Sequence, residues 1–320
     1  MSYKIGSFNM YKFQAFLSDE EHRKEINKIA QIIQDEQFSV MALQEIFSKQ
    51  AMEMLLKRLG LSWEGRWCSP PAKSSIAAEG YAFIWNTNIF KLVETVLDDG
   101  TVRQFEPHIF NQYRINRAEG QEELVRNPYY ARFEPVHGPF FELRLINTHI
   151  MFSKSKTRNE TNEEQDSLSD VKMRKNEFNV LTKALYPKIS DKVYGNNRPG
   201  YTIMLGDYNL NLKSSGANSP YLEEAFEIKD GNVIKHILTL QKELTTLKRP
   251  PKDGEEDKNQ NNYWANNYDH FTIDANRFAG AKTDASRVDS VHYCENYAAH
   301  RKEISDHVPI KMSLDLRNGE

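Results

Sequence analysis

Residues 201–209 read Tyr-Thr-Ile-Met-Leu-Gly-Asp-Tyr-Asn, a short apolar run followed at once by a carboxylate and an amide. The run from Tyr201 to Leu205 has the length and composition of a buried strand. Asp207 and Asn209 are therefore expected just past its C-terminal end, where the rim of a sheet presents side chains to a ligand. Taken alone, the Gly-Asp-Tyr-Asn tetrapeptide is equally well explained as a turn. Its meaning depends on whether other strands end in the same way.

Five other segments share this form, a strand-like run that ends in a carboxylate, an amide or an imidazole. They are Phe8-Asn9, Leu43-Gln44-Glu45, Asn147-Thr148-His149, Tyr268-Asp269-His270 and Ser305-Asp306-His307. One such ending is common in any protein that contains β-sheets. Six in one chain predict a polar site that is assembled from many strand ends.

The side chains of these endings fit one kind of chemistry. Glu45, Asp207 and Asp306 offer hard oxygen ligands, which select Mg²⁺, Mn²⁺ or Ca²⁺ over zinc. His149 and His307 suit general acid or base work, and no cysteines are spaced for a structural zinc site. Hydrolysis of a phosphate ester needs this set, because a cation neutralises the phosphoryl oxygens while a base activates water and an acid assists the leaving oxygen.

The composition excludes several classes of protein. The chain has 320 residues, 39% of them hydrophobic, which is enough for a substantial core and too many for a disordered protein. No run approaches the roughly 18 apolar residues that span a bilayer, and the N-terminus lacks a signal-peptide pattern. We therefore expect a cytoplasmic protein without stable membrane association. Cys68 and Cys294 are too few for a disulfide framework.

Helical and strand-like patterns occur without regular alternation, which favours a layered α/β fold over a barrel of parallel units. The spacing of apolar residues predicts helices over residues 20–34, 49–59 and about 169–186. Gly60 is predicted to end the second helix, and Pro187 to end the third.

The rest of the chain is expected to belong to the same single domain, residues 1–320. Exposed loops are predicted at about 153–170, which is strongly charged, and at 248–267, which is rich in Pro, Gly and Asn and reads as a disordered insertion. Residues 102–125 are polar and irregular, and are also expected to form a loop region.

In their order, the six strand endings resemble those of the endonuclease/exonuclease/phosphatase superfamily, the deoxyribonuclease I-like proteins. The matching segments run from Asn9 to His307, nearly the whole chain. The resemblance implies a four-layer α/β sandwich, in which helices flank two packed mixed β-sheets and the site lies at one rim.

The same resemblance implies roles for individual residues. Glu45 is similar to the superfamily's metal-ligating glutamate, Asn9 lies beside it as a metal or phosphate contact, and Asp306 resembles a second carboxylate on the metal side. The implied cofactor is Mg²⁺, with Mn²⁺ or Ca²⁺ as alternatives. Asp207 and Asn209 resemble the pair that orients the nucleophile and the phosphate.

The histidines are assigned in the same way. His307 resembles the general base or phosphate-binding histidine, with Asp269 as its carboxylate partner, and His149 resembles the other histidine of the site. Which of the two is the acid and which the base stays open at this stage.

Two further matches point to the deoxyribonuclease I branch. Glu79 resembles the glutamate that orients the second histidine, and Arg126 resembles an arginine of a phosphate-contacting Arg-x-Pro segment. A planar guanidinium can bind two phosphate oxygens at once. Phe47 and His270, however, stand where that branch has arginines, which argues against its mode of groove binding and its broad cutting of DNA.

The sequence thus predicts a divalent-metal-dependent phosphodiesterase, and DNA endonuclease activity is the leading expectation. A phospholipid or sphingomyelin phosphodiesterase, a small-molecule phosphatase and a catalytically silent binding module are the alternatives. The expected partner is a nucleic acid substrate, and no obligate protein partner is evident. The formal net charge of -3 argues against tight coating of DNA, but not against transient contact bridged by a metal ion.

Overall fold

The computed structural model describes residues 2–14, 24–69, 79–110, 114–117, 120–152, 168–194, 198–212, 221–230, 233–252, 255–259 and 261–316. Its helices are α1 (Ile26–Asp35), α2 (Lys49–Leu59), α3 (Leu168–Val180), α4 (Tyr186–Ser190) and α5 (Tyr297–Glu303). A π-helical turn, Leu181–Leu185, joins α3 to α4, and a 3₁₀ turn covers Val291–Tyr293.

The strands are numbered in chain order. They are β1 (Ser2–Phe13), β2 (Val40–Ile46), β3 (Trp63–Cys68), β4 (Tyr81–Asn86), β5 (Phe90–Leu92), β6 (Glu94–Val96), β7 (Val102–Gln104), β8 (His108–Ile109), β9 (Arg114–Arg117), β10 (Gly120–Glu123), β11 (Tyr129–Pro135), β12 (Glu142–His149), β13 (Gly200–Asp207), β14 (Ala225–Asp230), β15 (Val233–Leu240), β16 (Asp269–Asp274), β17 (Ala281–Arg287) and β18 (Ile310–Leu316).

Two mixed sheets make up the centre of the fold. The first has the order β17-β18-β1-β2-β4-β3, and the second has the order β14-β15-β16-β13-β12-β11-β5, with β8 also paired to β11. Each sheet contains one parallel pair, β1 with β2 and β12 with β13, and its other pairings are antiparallel. The strands of each parallel pair end at the same edge of their sheet, which brings their polar C-terminal residues together.

The sheets pack face to face through aromatic side chains. Phe83 of β4 stacks on Tyr129 of β11 with 5.1 Å between ring centroids, and Trp85 meets Phe133 edge-on at 5.3 Å. All four rings are at most 1% exposed. Burial of each large apolar side chain contributes about 1.5–3 kcal/mol, so this interface is a major source of stability.

Helices cover both outer faces of the sheet pair. Helices α1 and α2 bury Ile29, Ile33 and Leu55 in a cluster with residues of the first sheet, and α3 buries Phe178 in a cluster with Met204 of the second. The order of layers is therefore helix, sheet, sheet, helix. This confirms the predicted four-layer α/β sandwich.

The local sequence explains the limits of α2. The Ser48 side chain accepts the N–H of Ala51 at its start, and Gly60 takes a φ of 98° at its end, a left-handed conformation that glycine adopts without a steric penalty. The predicted helix 49–59 is confirmed to the residue. The first predicted helix, residues 20–34, corresponds to α1, which begins at Ile26; residues 20–23 lie outside the described part of the chain.

The third predicted helix was wrong at its C-terminal end. It does not stop before Pro187, because the π-helical turn shifts the hydrogen-bonding register and places Pro187 near the start of α4, where its missing N–H costs little. The helical path therefore continues to Ser190.

Two of the expected loops differ from the prediction. Residues 102–125 contain β7 to β10, with β9 and β10 paired to each other and β7 paired to β6. Most of the expected loop 153–170 lies outside the described residues, although its last residues begin α3.

The described part of 248–267 has no helix or extended strand, but it is not free of contacts. Tyr263 stacks on Tyr297 at 5.4 Å, and the Arg287 guanidinium lies 3.8 Å from the Trp264 ring centroid. No helix within the described ranges combines the length and the apolar composition that a membrane crossing requires.

Candidate active site

Sheet register places three of the predicted site residues side by side. In the second sheet His149 of β12 pairs with Asp207 of β13, and Asp207 pairs with Asp269 of β16. All three side chains are at most 1% exposed. The first sheet contributes from its facing edge, where Asn9 pairs with Gln44 next to Glu45. The predicted strand-end site is therefore assembled across both sheets.

Gly206 allows the two parallel strands of the second sheet to approach each other beside the site. Its φ is 143°, and a Cβ atom built on it would lie only 1.8 Å from the carbonyl oxygen of Thr148. Since the obstacle is backbone, no side chain can be accommodated here without moving β12 or β13. The glycine of the Gly-Asp-Tyr-Asn segment is therefore required by packing as well as by backbone conformation.

Asp207 lies at the centre of the site. One oxygen, Oδ2, accepts a hydrogen bond from Asn9 Nδ2 at 3.0 Å, and Oδ1 accepts one from the Asn209 backbone N–H at 2.8 Å. Oδ2 also lies 3.6 Å from Nε2 of His149 and 3.6 Å from Nε2 of His307. The carboxylate is thus held by amide donors between two imidazoles.

His307 is oriented by Asp269. Its Nδ1 lies 2.8 Å from Asp269 Oδ2, which leaves Nε2 as the nitrogen that faces Asp207. Burial lowers the pKa of His307, but the charges of Asp269 and Asp207 and the hydrogen bond to Asp269 outweigh burial and raise it well above its ordinary value. The imidazolium form is therefore stabilised at this position.

His149 has a parallel arrangement on the other side of Asp207. Its Nδ1 lies 3.3 Å from Glu79 Oε2, while Glu79 Oε1 accepts a hydrogen bond from Arg126 Nη2 at 2.8 Å. Burial raises the pKa of Glu79, but the hydrogen bond with His149 and the charge of Arg126 outweigh it and lower the pKa. Glu79 is thus an ionised bridge between the arginine and the histidine.

The first sheet and the segment before β18 bring the other predicted acids to the same rim. Glu45 Oε1 accepts from Asn9 Nδ2 at 3.1 Å, and Oε2 accepts from the Lys12 backbone N–H at 3.0 Å. Asp306 is 3% exposed, and its Oδ1 is buried without a hydrogen-bond partner among the described residues. A buried carboxylate oxygen in this state suits a bound cation, and the oxygen donors present fit Mg²⁺ or a similar hard ion.

A second group of donors also has the spacing of a metal site. Ligand atoms of Asp207, Asp269 and His307 all lie within 4.8 Å of one another. In that group, however, His307 Nδ1 and Asp269 Oδ2 are already hydrogen-bonded to each other. The arrangement is that of an oriented imidazole, which suits proton transfer better than coordination.

Backbone strain is concentrated at the rim. Tyr11, Lys12, Glu45 and Asn209 have φ values of 42°, 53°, 57° and 50°, a region that non-glycine residues seldom adopt. Tyr11 and Lys12 lie in the register shift of the β1–β2 pairing, which turns the Lys12 N–H toward Glu45. Strain of this kind is typical of functional sites, where the surrounding structure enforces it.

Lys24 is a site cation that the sequence analysis missed. Its ammonium lies 5.1 Å from the Tyr11 ring centroid, which Lys12 also contacts at 5.2 Å, and Lys24 is 9% exposed. Burial lowers the pKa of Lys24 to about 8, although the charges of Asp306 and Glu45 oppose this shift. The helical pattern around Lys24 gave no signal of its position beside the acids.

A buried link between the sheets was also missed. Gln44 Nε2 donates to Asn147 Oδ1 at 2.7 Å, and Asn147 Nδ2 donates to the backbone oxygens of Leu43 and Ala82 at 3.0 and 3.2 Å. Gln44 precedes Glu45 by one residue, and Asn147 precedes His149 by two. The link therefore fixes Glu45 of the first sheet relative to His149 of the second.

Two other histidines are structural. His270, which the resemblance placed where an arginine was expected, is buried with its ring nitrogens 3.2 and 2.9 Å from the carbonyl oxygens of Gln241 and Leu210. His300 contacts Ser290 and the Ser305 carbonyl, each at 2.8 Å, and burial lowers its pKa to about 3. His300 therefore stays neutral and supports the segment that carries Asp306 and His307.

Comparison with solved structures supports the same fold. An endonuclease/exonuclease/phosphatase family protein from Bacteroides thetaiotaomicron is similar over 99% of this chain and 98% of its own, with 14% identity and a TM-score of 0.53. D. rerio TDP2 in complex with a single-strand DNA product covers 98% and 99%, with 14% identity and a TM-score of 0.55. A mannosyl-6-phosphatase from B. thetaiotaomicron VPI-5482 covers 98% and 99%, with 14% identity and a TM-score of 0.52.

No family model and no curated protein matches the sequence itself. The structural likeness confirms the fold that the six strand endings implied, the endonuclease/exonuclease/phosphatase or deoxyribonuclease I-like fold. At these identities the likeness concerns the fold alone.

Proposed function

We propose that this protein hydrolyses phosphate esters with the help of a divalent cation. The observation that carries the proposal is the position of Asp207 between two histidines, each with a carboxylate at its Nδ1. Two oriented imidazoles around one buried carboxylate supply proton donors and an acceptor close to a single reacting atom, as an in-line displacement at phosphorus requires. The fold shared with TDP2 and with a mannosyl-6-phosphatase agrees with this class of reaction.

Glu45 and Asp306 would hold the cation, for which Mg²⁺ is the best candidate. When bound there, it would neutralise the charge that develops on the phosphoryl oxygens. Asn9 is a hydrogen-bond donor to Glu45 and to Asp207. Its Nδ2 donates to both carboxylates, and its Oδ1 accepts the Tyr11 N–H at 3.0 Å. In this arrangement Asn9 positions Glu45 as a ligand and Asp207 beside it.

Asp207, His307 and His149 each have a separate role in the proposed proton transfers. Asp207, which its amide donors keep ionised, accepts a proton from the attacking water. Its position 3.6 Å from His149 Nε2 allows that proton to return to His149 after this ring has protonated the leaving oxygen. His307 donates through Nε2 to a phosphoryl oxygen, a role with which its raised pKa agrees. His149 protonates the leaving oxygen. Asn209, whose Oδ1 is buried without a hydrogen-bond partner in the described structure, orients the water or the phosphate.

DNA is the substrate that we favour, with cleavage at internal phosphodiesters. Cationic residues flank the acids: the Lys12 backbone N–H donates to Glu45, the Lys24 ammonium interacts with the charges of Glu45 and Asp306, and Arg126 lies beyond His149 on Glu79. A polyanionic chain that passes the site would place a phosphate near each of these positions. A small phosphomonoester, the second candidate, would need only one of them.

The test is a substrate panel with and without chelator. Supercoiled plasmid, linear DNA, RNA, sphingomyelin vesicles and mannose 6-phosphate are incubated with Mg²⁺ or with EDTA, and a His149→Ala variant controls for contaminating nuclease. Nicked circles that require Mg²⁺ and His149 are expected. Turnover of mannose 6-phosphate or sphingomyelin alone would replace DNA as substrate, and no turnover of any ester would refute the proposed activity.

A further inference from the structure

Glu177 is a buried carboxylate that the proposed mechanism does not use. It lies on α3, is 2% exposed, and accepts two successive backbone N–H groups through Oε1, those of Val125 and Arg126, each at 3.1 Å. A buried carboxylate is costly unless such donors stabilise it, so a position of this kind needs a structural or functional reason.

The segment that Glu177 holds has no sheet partner of its own. Residues 124–128 lie between β10 and β11 and belong to no strand, so the N–H groups of Val125 and Arg126 do not enter a ladder. The carboxylate supplies the acceptor that a neighbouring strand would otherwise provide. The backbone at Arg126 is therefore placed by a side chain from helix α3.

The consequences of that placement extend to the centre of the site. Arg126 Nη2 contacts Glu79 Oε1 at 2.8 Å, Glu79 Oε2 contacts His149 Nδ1 at 3.3 Å, and His149 Nε2 faces Asp207. A shift of the Arg126 backbone would move the guanidinium and, through Glu79, release the imidazole ring. Burial raises the pKa of Glu177 to about 7, against the hydrogen bond from the Arg126 N–H and the charge of Arg126.

We infer that Glu177 is a positioning residue that holds Arg126 for phosphate binding and, through Glu79, fixes the ring of His149. The phosphate-binding part of this inference rests on the proposed function, whereas the placement of His149 does not. The essential requirement is an acceptor oxygen at Oε1. The isosteric Glu177→Gln variant retains such an oxygen, and Glu177→Leu does not.

Two measurements test the inference. Nitrogen-15 resonances of the His149 ring report its environment without any substrate. Calorimetric titration with inorganic phosphate in Mg²⁺ buffer measures the phosphate affinity to which Arg126 contributes. Glu177→Leu is expected to shift the His149 resonances as Arg126→Ala does, and to weaken phosphate binding about tenfold. Glu177→Gln is expected to match the wild type in both. The double variant Glu177→Leu/Arg126→Ala should bind phosphate no more weakly than Arg126→Ala, because the two residues act in series.

Leu185→Ala provides the control for a merely structural effect. Leu185 is fully buried in the hydrophobic cluster that also contains Leu124, but its side chain forms no hydrogen bond, so its truncation lowers stability and leaves the Glu177 acceptor and both N–H donors in place. This variant should keep the His149 resonances of the wild type. A folded Glu177→Leu protein with unchanged His149 resonances would overturn the inference. So would a double variant whose loss of phosphate affinity is the product of the losses of the two single variants. If wild type turns over no ester, the proposed function falls while the resonances still decide the role of Glu177.

Discussion

Nδ1 of His307 lies 2.8 Å from Oδ2 of Asp269, although the two residues come from segments attached to different sheets. Asp269 begins β16 of the second sheet, whereas His307 precedes β18 of the first. In this His307–Asp269 dyad the carboxylate orients the imidazole, so the proposed role of His307 requires both residues. The proposed chemistry therefore exists only when the two sheets are packed, which ties activity to the core between them.

Asp269→Asn should reduce kcat by roughly 10²- to 10⁴-fold, the usual contribution of a positioned acid or base. The substitution removes the carboxylate charge that raises the pKa of His307, so the alkaline limb of the pH–rate profile should also move to lower pH. Steady-state kinetics across a pH series provide the measurement. Asp274→Asn is the matched control, since Asp274 is also buried and ends the same strand away from the site. Equal losses in both variants would contradict the role of the dyad.

Glu79→Gln should lower kcat more than it raises KM. The neutral amide can still contact Arg126, but it no longer balances a charged ring at His149. We expect a loss of roughly 10²-fold, as for one oriented proton donor. Glu106→Gln serves for comparison, because Glu106 pairs with Arg66 at 3.4 Å in an exposed position. That variant should have wild-type kinetics, and a similar loss in both would count against a specific role for Glu79.

Gly206→Ala should destabilise the fold by about 2–4 kcal/mol, since the added Cβ meets the Thr148 backbone and the φ of 143° is unfavourable for alanine. Urea unfolding followed by circular dichroism measures the change. Gly280→Ala is the control, because a Cβ there has no heavy atom within 4 Å. Comparable stability of the two variants would show that β12 and β13 tolerate separation at this point.

Most residues of the candidate site could be predicted from the sequence, because each lies at the end of a strand-like segment or directly after it. Asp207 and Asn209 follow an apolar run directly, and His149 ends another, so the pattern alone placed them at the rim of a sheet. Glu79 and Arg126 lack such a signal and were found through resemblance alone. In the structure Glu79 contacts His149, the pairing that the resemblance implied, and Arg126 contacts Glu79, a link that the resemblance did not include.

The sequence pattern did not indicate the residues that support the site from neighbouring elements. Lys24 and Glu177 read as ordinary polar positions of helical segments, and only the packing of layers shows that one lies beside the acids and the other beneath Arg126. The stop expected at Pro187 failed for a related reason. The π-helical turn changes the hydrogen-bonding register inside a continuous helical path, and the pattern of apolar residues gave no sign of it.

Asn147→Leu and Gln44→Met should each destabilise the protein by about 1–3 kcal/mol, because each leaves a buried polar partner unsatisfied. The double variant should cost less than the sum of the two, with a coupling energy of about 0.5–3 kcal/mol. Urea unfolding of the four proteins gives this cycle. Additive losses would mean that the 2.7 Å contact contributes no coupling between the sheets.

Stability should depend on pH through Glu177. Its pKa is about 7 in the folded protein against an ordinary value of 4.5, so the folded state binds this proton more tightly than the unfolded chain does. The stabilisation is then complete below pH 4.5 and is lost as pH rises to about 7, a change of roughly 3 kcal/mol. Unfolding free energies of wild type and Glu177→Gln, measured in EDTA between pH 4.5 and 8, should therefore diverge, because only the wild type has this contribution. Glu223→Gln, at an exposed position, should keep the wild-type slope. Parallel curves for wild type and Glu177→Gln would show that the Val125 and Arg126 N–H groups keep the carboxylate ionised throughout.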